Sequence, residues 1–182
     1  MTATELIKKI RVSDDILLKQ IELSDSVDIF RIIDSQRSYL GKWLPFVSVT
    51  REVENTEFFI RKMLENPTAN YVFVIHYAGE FVGLIGFKDS DKQNKKTEIG
   101  YWLSETFQKK GIITQSVQAL CQFAFDELEM NRIQIKCAVG NFPSKRIPRN
   151  LGFVLEGIER DGELLTGGIF TDLEVYSKLK GE

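Results

Sequence analysis

Histidine is almost missing from this chain of 182 residues: His76 is the only one. A histidine-ligated metal centre, or a nucleophile activated through a histidine network, needs more than that, and His76 lies inside an apolar run that reads as a strand. Cysteine is nearly as scarce. Cys121 and Cys137 both fall in apolar periodic segments, which excludes a disulfide framework and points to reduced core thiols. A Cys137–His76 acyl-transfer pair would lack an orienting third residue nearby in sequence. The net charge is only −2, so no broad basic face for nucleic acid is expected. No apolar run approaches the length of a membrane span, and the N-terminal "MTATELIKKIRVSDD" lacks the apolar core of a signal peptide. The phosphate-binding pattern GxxxxGK[ST] and the dinucleotide pattern GxGxxG are both absent, which argues against a nucleotide hydrolase or a dehydrogenase. What is present is 43% hydrophobic and 27% charged residues, with no repeat, low-complexity tract or linker. That composition leads to the expectation of one cytoplasmic domain over 1–182, large enough to bury its own core, with no metal.

Along the chain, 16–23 reads as a first strand after a polar lead-in. A helix follows, with Ser24, Asp25 and Ser26 as candidate caps and Val27, Phe30 and Ile33 at helical spacing. Pro45 interrupts, and Thr50 is a candidate cap for a second helix with Val53, Ile60, Met63 and Leu64 on one face, stopped at Asn66-Pro67. Strands at 71–77 and 81–87 flank a short hairpin connection at 78–80, and a charged turn at 88–96 leads to a third strand, 97–104. Residues 132–139 alternate so that Ile133, Ile135 and Cys137 share a face. A short helix then precedes strands at 153–160 and 171–178. The order predicts an α+β domain: a mostly antiparallel mixed sheet flanked by about four helices.

The chemistry concentrates in "FQKKGIITQSVQALCQFAF", 107–125. Ile113, Val117, Leu120, Cys121, Ala124 and Leu128 recur at three- and four-residue spacing, so one face of this helix is core. Its first turn then presents unbonded N–H groups and a positive dipole end. Gly111 has no Cβ to keep a large anion away, and Gln108, Lys109 and Lys110 add donors and charge. A phosphate or pyrophosphate fits; so does an ordinary helix entry that happens to carry a glycine.

Three further stretches favour the first of these readings. "EIGYWLSETFQKKGIIT", "NRIQIKCAVGNFPS" and "RNLGFVLEG", in this order and at these distances, resemble the GNAT superfamily of acetyl-CoA-dependent N-acetyltransferases. Within it they look most like the RimJ/RimL branch, which acetylates ribosomal protein N-termini, and the resemblance spans 16–179. It implies that the [QR]-x-x-G-x-[GA] loop, here Gln108 to Ile113, cradles the coenzyme pyrophosphate with Lys109, Lys110, Gly111, Ile112 and Thr114. Ile113 departs from the small residue usual at the last position. The resemblance further implies a sheet splayed at its centre, with the strand through Trp102 and Leu103 parting from 133–141 and the acyl-pantetheine arm in the gap. Cys137 would line that channel, and Asn141 and Ser144 match an N-x-x-S element beside the coenzyme, with Ser144 placed to protonate the departing thiolate. For the general base, Glu163 matches a position acting through water in the RimL-like pattern, and Glu98 lies where other branches carry a glutamate.

The plainer readings stay open at this stage. Ser144 can be the cap of the short helix, and Glu98 and Glu163 can be solvated or ion-paired carboxylates. Trp43, Phe46, Tyr101 and Trp102 can form an apolar wall for the substrate or simply be core. The resemblance implies acetyl transfer to a primary amine by direct attack in a ternary complex, with a protein N-terminus as acceptor and a homodimeric assembly. The alternatives are a small-molecule acceptor (a polyamine, amino sugar or drug) and a non-catalytic acyl-CoA-binding module.

Overall fold

A computed structural model describes residues 9–67 and 71–182. Most of the polar lead-in, 1–8, lies outside the described residues. Eight strands form one sheet in the order β1-β2-β3-β4-β5-β6-β8-β7. They are β1 (Lys9–Arg11), β2 (Ile16–Gln20), β3 (Val72–Tyr77), β4 (Glu80–Asp91), β5 (Lys96–Leu103), β6 (Arg132–Ala138), β7 (Val154–Leu165) and β8 (Ile169–Leu179). The helices are α1 (Ser26–Ser35), the one-turn α2 (Arg37–Leu40), α3 (Val53–Glu65), α4 (Ile112–Asp126) and α5 (Phe142–Asn150). Every neighbouring pair is antiparallel except β5–β6.

The sheet is covered on both faces, which is why its central strands read as unbroken apolar runs rather than alternating ones. Phe73 and Ile75 of β3 join Val117, Leu120 and Ala124 of α4 in one cluster. Val72 and Val74 of the same strand point the other way, to Ile29 and Ile33 of α1 and Ile60 of α3. Phe123 of α4 meets Tyr71 edge-on at 5.3 Å between ring centroids and stacks on Phe87 at 6.2 Å. Val117, Leu120 and Ala124 are wholly buried, and each buried Leu or Val contributes about 1.5–3 kcal/mol, so α4 is a firm anchor for the loop at its start.

Several expectations are corrected. The buried stripe of α1 is Ser26, Ile29 and Ile33, while Val27 is exposed, because Leu23–Asp25 forms a separate 3-10 turn that sets the helix phase. The first strand ends at Gln20 for the same reason. Thr50 does not cap α3: Glu52 does, in a reciprocal capping box with Asn55. Leu64 is exposed, and Thr56 and Ile60 form the buried face. The hairpin between β3 and β4 turns on Ala78 and Gly79, both at positive φ (49° and 85°), with Tyr77 opposite Glu80. The turn at 88–96 is shorter than expected, since β4 runs to Asp91 and β5 starts at Lys96. The last two strands are also longer than read, forming a long β7–β8 hairpin whose polar, exposed β7 carries no burial periodicity to reveal it.

The parting of β5 and β6 positions the site. They pair only at Lys96–Arg132, Thr97–Ile133 and Glu98–Gln134. Beyond Glu98 each strand continues, β5 still bonded to β4 and β6 to β8, but not to one another. Backbone groups facing such a gap need partners, and a ligand carrying amides can supply them.

Candidate active site

The splay opens onto a cavity of about 330 Å³ that gathers most of the residues singled out in the sequence. Trp102 and Leu103 line it from β5, 108–114 from the loop and first turn of α4, and Asn141 and Ser144 from the start of α5. Gly111 is the N-cap of α4, at φ 73°, and no side chain caps that end. The left-handed backbone is a second reason for glycine there, beyond the room it leaves for an anion. Lys110 holds its ammonium 5.1 Å from the ring centroids of both Tyr77 and Phe107, so its position beside the loop is set by cation–π contact. Ile113, the departure from the small residue, is buried in the main core, which accommodates its bulk. The free first-turn N–H groups, the glycine and the lysines fit a pyrophosphate, and the unpaired strand edges fit an amide-bearing arm.

Ser144 is not the cap of α5. Asn141 is, its side-chain oxygen accepting from the Ser144 N–H at 3.3 Å, with Ser144 in the first turn. The hydroxyl is thereby left to other work. Ser144 Oγ lies 3.3 Å from Cys137 Sγ and 3.3 Å from the Tyr101 hydroxyl, which also donates to the Ser144 carbonyl at 3.1 Å. Burial holds the Tyr101 hydroxyl well above its ordinary pKa and pushes the Cys137 thiol up as well, so both stay protonated at neutral pH. Cys137 is therefore a poor nucleophile. Tyr101 was legible as an aromatic near the site but not as a hydroxyl partner. The alternation along β5 carried the signal, since it places Tyr101 on the face of Ile99 and Leu103, toward α4 and α5. Trp43 also lines the cavity and lies over Gly140, where a Cβ would sit 3.0 Å from its ring.

A second cavity, of about 800 Å³, lies toward α3 and shares Leu44, Tyr101 and Trp102 with the first. Phe46, Phe59 and Met63 line it, with Lys88, Asp89 and Glu163 also in its wall. The two proposed base residues differ sharply. Glu98 is buried with both oxygens engaged: Oε1 pairs with Lys88 Nζ at 2.7 Å, and Oε2 accepts from Gln134 Nε2 at 3.1 Å. Glu163 is half-buried and faces the cavity; burial raises its pKa, the Lys88 charge partly opposes this, and the Glu98 charge adds to it. A raised carboxylate pKa makes a stronger base. Glu163 has the freedom that Glu98, tied to Lys88 and Gln134, lacks.

Behind Ser144, α5 is bolted to β8 by charge. Glu174 Oε1 accepts from Lys145 Nζ at 2.8 Å, and Oε2 from Arg149 Nη2 at 3.2 Å and from the Tyr176 hydroxyl. Burial alone would raise the Glu174 pKa, but the Lys145 and Tyr176 hydrogen bonds win and lower it. A lowered folded-state pKa contributes stability that is present above the unfolded value and lost as pH falls through the folded one. Glu174→Ala is expected to strand the buried Lys145 and cost about 3–5 kcal/mol at neutral pH, read as a lower urea midpoint. Unchanged stability would mean that the network does not hold α5.

Among the described residues, no group of three or more His, Cys, Asp or Glu could hold a metal ion, and no helix is long and apolar enough to cross a membrane. Comparison with known proteins adds to this geometry. A family model described as an acetyltransferase (GNAT) domain matches residues 15–154. YdaF of Bacillus subtilis, provisionally named a ribosomal N-acetyltransferase, is 35% identical over 175 residues, 94% of this chain and 95% of its own. The ribosomal-protein-serine acetyltransferase of Escherichia coli is 30% identical over 172 residues, 93% of this chain and 96% of its own. Among solved structures, RimL, a ribosomal L7/L12 alpha-N-protein acetyltransferase in complex with coenzyme A, superposes with a TM-score of 0.89 at 28% identity, covering 94% of this chain and 97% of that one.

Proposed function

This chain belongs to the GNAT acetyltransferase family, and from that premise we propose that it transfers the acetyl group of acetyl-CoA to the N-terminal α-amine of a protein, by direct attack in a cytoplasmic ternary complex. The observation that carries the reading is the meeting of the two cavities at Tyr101 and Trp102, where β5 leaves β6. The coenzyme supplies the acetyl thioester; Gly111, the first turn of α4 and the adjacent lysines would hold its pyrophosphate. Glu163 takes the proton of the incoming ammonium through water. The amine nitrogen bonds to the acetyl carbon, the carbon–sulfur bond breaks and Ser144 gives its proton to the departing sulfur, while the second proton that the nitrogen sheds on becoming an amide passes to water and makes good the one Ser144 gave. Tyr101, protonated and 3.3 Å away, is the group that can restore it. The acceptor assignment is supported by relatives named for ribosomal proteins at 30% and 35% identity.

The choice of amine follows from the strength of the base. A peptide α-amine, with a pKa near 8, is partly neutral at about pH 7.5, and completing deprotonation costs under about 1 kcal/mol. A lysine side chain, near 10.4, would cost about 4 kcal/mol. A single half-buried carboxylate suits the first and not the second. Peptides with a free N-terminus and internal lysines are therefore expected to be acetylated at the N-terminus, with a rate that rises between about pH 6 and 8 as the amine loses its proton. Glu163→Gln should slow the reaction more at pH 6.5 than at pH 8.5, where most of the amine needs no base. Peptide mapping with rates at both pH values decides it. Acetylation confined to lysines, or a polyamine outcompeting every peptide, would sink the reading and favour a small-molecule acceptor.

A further inference from the structure

The second cavity is built for more than an amine. Asn55, Phe59 and Met63 of α3 fall at i, i+4 and i+8, so one ridge of that helix runs along the cavity wall. Phe46 and Val49 face it from the segment before α3, and they are 40% and 70% exposed. Large apolar side chains held open to solvent in a concave surface cost free energy that a ligand recovers on binding. The same cavity is lined by Lys88, whose charge is paired with Glu98 at 2.7 Å, and by the carboxylates of Asp89 and Glu163, which have no ion pair among the described residues. A positive charge is therefore wanted at one end and apolar bulk beside it. Tyr101 and Trp102 join this groove to the first cavity, so its occupant is continuous with the reacting amine.

We propose that the acceptor is a polypeptide whose first residue is large and apolar (leucine, methionine or phenylalanine), its ammonium drawn to Glu163 and Asp89 and its side chain laid against Phe46, Phe59 and Met63. This rests on the α-amine reading above and narrows it away from the serine for which the Escherichia coli relative is named, because a serine or alanine side chain would leave the apolar wall wet. Discrimination in an apolar pocket amounts to about 10–200-fold for each methylene-scale difference, so a several-carbon difference is easily measured.

The test is a set of free-N-terminus peptides identical except for the first residue (Phe, Leu, Met, Ala, Ser), compared by kcat/KM with acetyl-CoA saturating, alongside spermidine. The expected result is a preference of at least about tenfold for Phe, Leu and Met over Ala and Ser. Phe59→Ala, checked for fold by circular dichroism, should erase that preference by lowering kcat/KM for the Phe, Leu and Met peptides at least about tenfold more than for the Ala and Ser peptides. Equal or faster acetylation of Ala and Ser peptides would overturn this inference and leave the α-amine reading standing. A uniform fall for all five peptides in a folded Phe59→Ala would also overturn it. Turnover of spermidine with no peptide acetylated would overturn both.

Discussion

Replacing Gly111 by glutamate is expected to abolish acetyl-CoA binding, a weakening of more than about 100-fold or about 2.7 kcal/mol, while the protein still folds. Two effects act together. A carboxylate would stand at the positive end of α4, beside the N–H groups a pyrophosphate must reach. A side chain at φ 73° also costs about 1–2 kcal/mol of backbone strain. An added Cβ would meet only the flexible end of Gln115, at 3.4 Å, so packing presents no obstacle to folding. Gly111→Ala carries the strain without the charge, and titration calorimetry of both variants separates the two contributions. Unaltered affinity in a folded Gly111→Glu protein would remove this loop from the coenzyme site.

The second large effect is expected at Ser144. Loss of its proton to the departing thiolate should lower turnover by about 10²–10⁴-fold in Ser144→Ala, with acetyl-CoA affinity nearly intact. Since Asn141 rather than Ser144 caps α5, the variant should also keep its stability, which separates proton donation from a structural role. Tyr101→Phe removes the neighbouring hydroxyl. If the two act as one relay, the double variant should lose little more than Ser144→Ala alone. Cys137→Ala should be milder than either, because a buried thiol with a raised pKa presents little thiolate. Equal losses of turnover, affinity and stability in Ser144→Ala would point to packing instead, and an acetyl-cysteine trapped at Cys137 would overturn direct attack.

What could be read ahead of the structure was whatever burial writes into local periodicity. The helix after Gly111 was legible because Ile113, Val117, Leu120 and Ala124 must all face one core, and all four are buried. Ile133, Ile135 and Cys137 were legible for the same reason at the period of a strand. In α1, Ile33 was read correctly but Val27 and Phe30 were misread as its companions in place of Ile29, because a preceding 3-10 turn shifts the helix start, and a short helix with several apolar residues fits more than one phase. The length of β7 was missed because both its faces are largely exposed, and a strand without a buried face leaves no period.

The sequence by itself determined the sheet-and-helix order, the loop at Gly111 and the family resemblance, since each is carried by residues close together in the chain. Only the tertiary structure decided that Tyr101 and Cys137 each reach the Ser144 hydroxyl at 3.3 Å, that Glu98 is tied to Lys88 and Gln134, and that Glu163 is left to face a cavity. Those facts depend on the register of β5 against β4 and on where β5 parts from β6. Such pairings join residues tens of positions apart, and their geometry follows from how two covered sheet faces pack, which no local pattern records.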